Sequence, residues 1–364
     1  MEFCIERSAF TDAVAWAARV LPARSPVPVL GGLLLKADGG CLRVLGADHD
    51  ASAAVTAEAE TARAGRALVV GRRLLDICRV LPKGVVECAV EDTRLTVTCG
   101  DVRFGLSLLP LEDHPAPAPS PPPRGSVDAD AFAAAVAQVV PAAGRDDTLP
   151  VLTGVRLAFD EGTITLAATD RYRYAVRTLD WATGAPDATA DVLVPARRLA
   201  EIARSFGGAG ALRVAWDGSR VAFEHADRHV TTRLLEGRLP RHDTLFALPD
   251  PLVASVEREP LAEAVKRVAV VAEGEGPLQL EFSAGRVQLR AGYGDDVASQ
   301  RLPADLAGAE GMTVAFNPAY LVDALASFDA SVVEFRLLGP GQRALLTDPS
   351  GRQRHLLMSV KPLV

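Results

Sequence analysis

The chain has no surplus of positive charge. Its 39 lysines and arginines face 46 aspartates and glutamates, a formal net charge of −7 over 364 residues. That excludes a protein that coats nucleic acid with a generally basic surface, but not one that confines positive charge to one face. Cysteine is scarce: Cys4, Cys41, Cys78, Cys88 and Cys99, none in a Cys-x-x-Cys pair. An odd, unpatterned set argues against a disulfide framework and a zinc site, and reads as buried, inert thiols. No uninterrupted apolar run approaches the roughly 18–20 residues of a membrane span. The opening Met1-Glu2-Phe3-Cys4-Ile5-Glu6-Arg7 lacks a basic stretch followed by an apolar core, so no signal peptide is expected and the cytoplasm is the expected location. There is no P-loop, no G-x-S-x-G, no H-E-x-x-H and no usefully spaced Cys/His pair. We therefore expect no catalytic residues, no metal and no cofactor.

What is present is repetition. The length suits two or three domains at roughly 100–200 residues each. An amphipathic helix is predicted three times by apolar residues at i, i+4 and i+7: Phe10, Val14, Ala17; Phe132, Val136, Val139; Leu261, Val265, Val268. A proline-containing turn into a strand recurs, Pro28-Val29-Leu30-Gly31 matching Pro150-Val151-Leu152-Thr153 at an offset of 122, with Gly276-Pro277-Leu278 as a degenerate third copy. A strand then enters a short second helix, at Val69-Val70-Gly71-Arg72-Arg73, Val194-Pro195-Ala196-Arg197-Arg198 and Ala315-Phe316-Asn317-Pro318-Ala319. The acids Asp76, Glu201 and Asp323 on these helices are 125 and then 122 positions apart. The reading is a triplicated unit of α+β class, each copy with two helices and antiparallel sheets, over residues 1–122, 123–250 and 251–364. Pro115–Pro123 is a proline-rich spacer and Leu248-Pro249-Asp250-Pro251 a shorter break.

On these motifs the chain resembles the beta subunit family of bacterial DNA polymerase III, the sliding clamps. The resemblance runs end to end and is carried by Leu21-Pro22 through Leu30, Arg72 through Pro82, Thr169-Asp170-Arg171-Tyr172-Arg173, Phe316 through Leu325, and Leu356-Leu357-Met358. It implies a head-to-tail homodimer, a six-domain ring with helices lining the hole, that encircles duplex DNA without regard to sequence. It also implies that DNA polymerase III alpha subunit, the clamp loader and other proteins with clamp-binding motifs are its partners, with no membrane contact. The expected contact between copies involves the strand holding Phe104, Leu106 and Leu108, and the Val270-Val271 region; an alternating apolar edge is otherwise an aggregation liability.

Arg72, Arg73, Arg197 and Arg198, with Arg24, read either as solvated surface or as the basic lining of a ring. Paired arginines at helix starts are locally unfavourable, because the helix dipole favours acids there. As a lining they make sequence-independent phosphate contacts that permit sliding. The resemblance further implies a groove for partner peptides built from Leu152, Thr169, Arg171, Tyr172, Arg173, Tyr174, Pro240, Leu245, Asn317, Tyr320, Met358 and Val360. The chain departs from the family pattern in three places: Tyr174 where leucine is usual, Met358-Ser359-Val360-Lys361 where Met-Pro is usual, and the segment Arg241–Phe246. Tyrosine adds bulk and a hydroxyl that needs a partner, so the groove is expected to be narrower or more polar. The alternative function is accordingly a clamp paralog specialised for inhibitor resistance or altered partner choice. Two clusters read as structural: His225-Ala226-Asp227-Arg228-His229 as a hairpin turn between alternating runs, not a metal site, and Asp48-His49-Asp50 as the first-copy counterpart of the Thr169-Asp170 turn.

Overall fold

The structure, a computed structural model, describes residues 1–22, 27–114, 120–184, 189–272, 276–307 and 311–361. The described residues contain seven α-helices: α1 (Arg7–Ala17), α2 (Gly71–Val80), α3 (Ala129–Val139), α4 (Ala196–Ser205), α5 (Asp243–Phe246), α6 (Arg258–Val268) and α7 (Pro318–Ser327). Helices α1, α3 and α6 bury the apolar positions that the spacing picks out. Each follows directly on a strand and each runs into a 3-10 turn. Helices α2, α4 and α7 are the short second helices, and α5 is a single turn that no periodicity announces. The fold is α+β with three clamp-type repeats and antiparallel sheets, as expected. None of the described helices is long and apolar enough to cross a membrane.

By packing, the chain divides into two compact units, Met1–Ala129 with Ser205–Leu234, and Asp130–Arg204 with Leu235–Val364. The division differs from the sequence repeats because backbone pairing continues a sheet from one repeat into the next. In the first unit Ala51–Glu58 pairs antiparallel with Arg228–Arg233; in the second Arg173–Asp180 pairs with Gln353–Met358.

In the first unit a five-stranded sheet runs in the order Glu60–Arg63, Glu2–Glu6, Val85–Glu91, Arg94–Cys99, Val102–Ser107. A second sheet runs Pro123–Asp128, Ala211–Trp216, Arg220–His225, Arg228–Arg233, Ala51–Glu58, Cys41–Ala47, Gly32–Asp38, Gly65–Val70. Helix α1 packs on the strand Ala51–Glu58 and against α2. The approach is close: a Cβ on Gly46 would stand 2.4 Å from the Ala17 carbonyl oxygen, so only glycine fits.

In the second unit a nine-stranded sheet runs Ala190–Pro195, Gly154–Asp160, Thr163–Thr169, Arg173–Asp180, Gln353–Met358, Arg343–Thr347, Val332–Leu337, Leu252–Glu257, Asp305–Ala307. A four-stranded sheet runs Asp296–Pro303, Arg286–Tyr293, Leu278–Ser283, Met312–Phe316. Helices α6 and α7 pack together over a core that includes Leu261, Val265, Phe282, Phe316, Leu321 and Phe335.

Candidate functional site

The site is built on a turn. The strand Thr163–Thr169 ends and the strand Arg173–Asp180 begins across Asp170-Arg171-Tyr172. The Asp170 carboxylate accepts the backbone N–H groups of Tyr172 and Arg173, both at 3.0 Å. The Thr169 hydroxyl donates to the Arg173 carbonyl at 2.6 Å and accepts the Arg171 N–H at 3.1 Å. These bonds hold Arg171 at φ +81°, a left-handed conformation that costs an L-residue about 1–2 kcal/mol.

Arg173, only 5% exposed, is the hub. Its Nε donates to Asp170 Oδ2 at 2.8 Å and its Nη1 to Asp323 Oδ2 at 2.7 Å, tying the turn to α7. The guanidinium lies 4.4 Å from the Tyr320 ring centroid, within cation–π range. Asn317 fixes the start of α7 by accepting the N–H groups of Ala319 and Tyr320 at 2.9 and 3.4 Å. On the outer side Tyr172, 62% exposed, lies near-parallel to Tyr320, ring centroids 6.4 Å apart at 26°. A cavity of about 470 Å³ opens here, with Leu149, Leu152, Tyr172 and Tyr320 as apolar wall and Arg145 and Arg171 as cationic rim. A neighbouring cavity of about 600 Å³ shares Gly144, Arg145 and Asp323 and reaches Arg197 at the start of α4.

Tyr174 goes the other way. It is 2% exposed, and its hydroxyl donates to the Pro240 carbonyl at 2.7 Å. Its ring meets Phe246 edge-on at 5.7 Å and His242 at 6.1 Å, in a cluster with Ala167, Val176, Leu345 and Leu356. Burial pushes the Tyr174 phenol up to about 12, so it stays a donor at neutral pH. Burial, then the Arg354 charge, holds the His242 imidazole below its ordinary value. The segment over this cluster, Pro240 to Phe246, is held from below. Arg343 Nη1 donates to the Leu245 and Thr244 carbonyls at 2.8 and 3.2 Å, and the Arg354 guanidinium lies 5.3 Å from the Phe246 ring centroid.

Of the twelve groove residues expected from sequence, Leu152, Arg171, Tyr172, Arg173 and Tyr320 border the open cavity. Thr169 and Asn317 build the turn and the helix start. Tyr174 belongs to the covered cluster with Leu245 packed against it, while Pro240 is itself exposed and meets the cluster through its carbonyl. Met358 and Val360 are exposed on the C-terminal segment, where Met358 N–H donates to the Tyr172 carbonyl at 2.9 Å and Val360 N–H to that of Ala315 at 2.8 Å. Between them Ser359 N–H donates to the Gln342 carbonyl at 3.0 Å, a bond a proline there cannot make. The twelve expected groove residues did not include Asp170, Asp323, His242, Phe246 or Arg354. Asp323 carried a signal: it is the third member of the repeated helix acids. Asp76 pairs with Arg79 and Glu201 with Arg198 inside their own helices, whereas α7 has no arginine and Asp323 reaches Arg173.

Among the helix-start arginines, Arg72, Arg73 and Arg197 are exposed and Arg198 is half-buried. Arg72 donates to the Pro22 carbonyl at 3.2 Å. Arg24 lies outside the described residues, as does 115–119 of the proline-rich spacer. Of the residues expected between copies, Val270 is 82% exposed and Val271, Phe104 and Leu108 half-buried, while Leu106 is turned into its own core. The His225–His229 segment forms a hairpin, with His225 paired to Arg228 across Ala226-Asp227. Among the described residues no three metal-ligating side chains come together.

Three family models match in succession: DNA polymerase III beta subunit, N-terminal domain, over residues 1–118; central domain over 126–241; and C-terminal domain over 249–360. The chain is 46% identical over 353 residues to the beta sliding clamp of Streptomyces coelicolor, covering 95% of this chain and 94% of that one. It is 38% identical over 371 residues to the beta sliding clamp homolog GriR of Streptomyces muensis, covering 99% of both. Among solved structures, the Pseudomonas aeruginosa sliding clamp bound to griselimycin superposes with a TM-score of 0.94 at 25% identity over the full length of both chains.

Proposed function

We propose, for a chain that belongs to the DNA polymerase III beta subunit family and works as a DNA sliding clamp, that two copies close head to tail into a ring around duplex DNA. The observation that carries the reading is the ordered succession of three family domains over 1–118, 126–241 and 249–360. Two features support the head-to-tail contact. The strand Val102–Ser107 ends the five-stranded sheet of the first unit, and Asp296–Pro303 ends the four-stranded sheet of the second. Pairing the edge of one copy with the edge of the next makes a heterologous contact that closes on itself and removes both edges. Val102, Phe104 and Leu108 on one side, and Val270 and Val271 on the other, supply apolar surface to it.

In this reading Arg72, Arg73 and Arg197 offer positive charge to DNA phosphates, with Arg198 more tightly held by Glu201. Such contacts are sequence-independent and weaken with salt, so processivity comes from topological closure. The chain performs no catalysis of its own, and works in the cytoplasm, where bacterial DNA is replicated. DNA polymerase III alpha subunit, the clamp loader and other motif-bearing proteins dock on the Tyr172–Tyr320 face. Loading tests the ring. Clamp placed by its loader on a nicked circle should survive gel filtration in about 0.5 M salt, enough to screen phosphate contacts, and should be lost when the circle is cut. Equal retention on circular and linear DNA overturns the reading.

The covered Tyr174 favours a second reading, a clamp with altered ligand preference. The 38% identity to a clamp homolog such as GriR is consistent with it. Griselimycin, bound in the Pseudomonas aeruginosa structure, is the test ligand. Weak binding here together with normal loading supports the second reading, and tight binding removes it.

A further inference from the structure

Tyr172 and Tyr174 are two positions apart, Tyr172 in the turn and Tyr174 in the strand that follows it. Their environments are opposite. Tyr172 is open to solvent beside Tyr320 and borders the cavity of about 470 Å³. Tyr174 is buried, bonded through its hydroxyl to the Pro240 carbonyl, and covered by His242 and Phe246. The covering segment is fastened at two further points, the Arg343 bonds to the carbonyls of Thr244 and Leu245 and the contact of Arg354 with Phe246. None of Tyr174, Pro240 and Leu245 borders the open cavity.

We propose that Tyr174 is a plug that fills one half of the partner groove, so that this clamp takes ligands through a single apolar anchor at Tyr172–Tyr320 and selects against ligands that need two. The inference rests on the reading of this surface as the partner groove and names what that groove discriminates. A ligand side chain entering the covered half must displace a packed ring and break a buried O–H···O bond, leaving a phenol hydroxyl to find another partner. An anchor at Tyr172–Tyr320 meets no such obstacle. There Tyr320 is braced from behind by Arg173, itself held by two carboxylates, while Tyr172 is exposed and able to adjust. The single-anchor ligand is a short linear segment with one aromatic or large aliphatic side chain. The excluded class is a two-anchor or cyclic peptide.

The test uses the whole chain and fluorescence anisotropy with two fluorescein-labelled pentapeptides, Gln-Ser-Ser-Ser-Phe with one anchor and Gln-Leu-Ser-Ser-Phe with two. Wild type should bind both with comparable affinity. Tyr174→Leu should tighten the two-anchor peptide about tenfold or more, the scale of burying one leucine-sized group, and leave the one-anchor peptide unchanged. If Tyr174→Leu fails to fold by its thermal transition, Tyr174→Met serves the same purpose. A two-anchor peptide already favoured tenfold by wild type, or left unchanged by a folded Tyr174 variant that binds it, overturns the plug. Tyr320→Ala separates the two claims. Its loss of both peptides supports the groove, whereas unaltered binding in Tyr320→Ala, or no binding to any variant, overturns the groove reading and the plug with it.

Discussion

Asp48 and Asp170 accept the corresponding two backbone N–H groups in two copies of the same unit, and only one of them is tied into a wider side-chain network. Asp48 accepts the N–H groups of Asp50 and Ala51 at 2.9 and 2.6 Å and stops there. Asp170 accepts the N–H groups two and three residues on in the same way, but its second oxygen also takes Arg173, and through Arg173 the turn reaches Asp323 and Tyr320. The strands that follow keep the parallel. Ala53 pairs with Val230 in the first unit, and Ala175, 122 positions on, pairs with His355 in the second. A valine stands in one junction where the other has a fully covered imidazole. The hydrogen-bonding device of the turn thus recurs with the repeat, while the link from Asp170 through Arg173 to Asp323 and Tyr320 comes from a few side chains present in one copy.

Removing each aspartate should break the comparison most visibly. Asp170→Ala strips Arg173 of one of its two carboxylate partners while Asp323 remains, and is expected to cost about 1.5–3 kcal/mol, the range for a lost hydrogen bond to a charged group. Asp48→Ala loses only turn hydrogen bonds and is expected to cost about 1 kcal/mol. Urea unfolding measures both, and equal losses would mean that the two turns carry equal weight.

The junctions should also respond differently to acid. Burial, and next the Arg173 charge, hold the His355 imidazole down to about 3. Its unfolded value is about 6.5, so the unfolded chain takes up the proton first. Stability from this group is therefore complete above pH 6.5 and falls as the pH drops towards 3, by at most about 1.4 kcal/mol per pH unit. His355→Val, which copies the first junction, should flatten that dependence. Urea midpoints at neutral pH and in mild acid decide it, and an unchanged slope would place the acid sensitivity elsewhere.

A smaller contrast lies in the repeated helix acids. Asp323→Asn weakens a contact to a buried guanidinium and should cost about 1–2 kcal/mol, discounted for the partial exposure of the carboxylate. Asp76→Asn touches an exposed pair within α2 and should cost about 0–0.5 kcal/mol. The smallest effect is expected at Arg171. Glycine there relieves the positive φ but adds unfolded-state entropy, for a net gain of up to about 1 kcal/mol by thermal melting. A loss would show that the arginine side chain, and not the backbone, sets the balance at this turn.

Much of the fold is legible in the sequence because its signals are local. The spacing of Phe10, Val14 and Ala17, and its two repetitions, marks three core-facing helices without reference to anything distant. The Pro28 and Pro150 turns announce the strands after them. Part of the candidate site is legible in the same way, since Thr169 to Arg173 forms one continuous turn. The rest is not. Tyr174 reads as an enlarged groove residue, but its burial depends on Pro240 and Phe246, more than sixty residues away. Leu106 reads as part of an exposed edge and turns inward, because alternation tells which residues share a face and not which face is covered.

The sequence by itself determined the triplication, the order of the two repeated helices and their strands, the acidic balance and the resemblance to sliding clamps, all properties that short-range periodicity and ordered motifs record. Only the tertiary structure decided that Arg173 bridges Asp170 and Asp323, that Tyr172 stays open, and that Tyr174 is bonded beneath Pro240. The physical reason is that burial and hydrogen-bond partnership belong to pairs of residues. When the partners lie 150 and 66 positions apart, neither one's local sequence specifies the other.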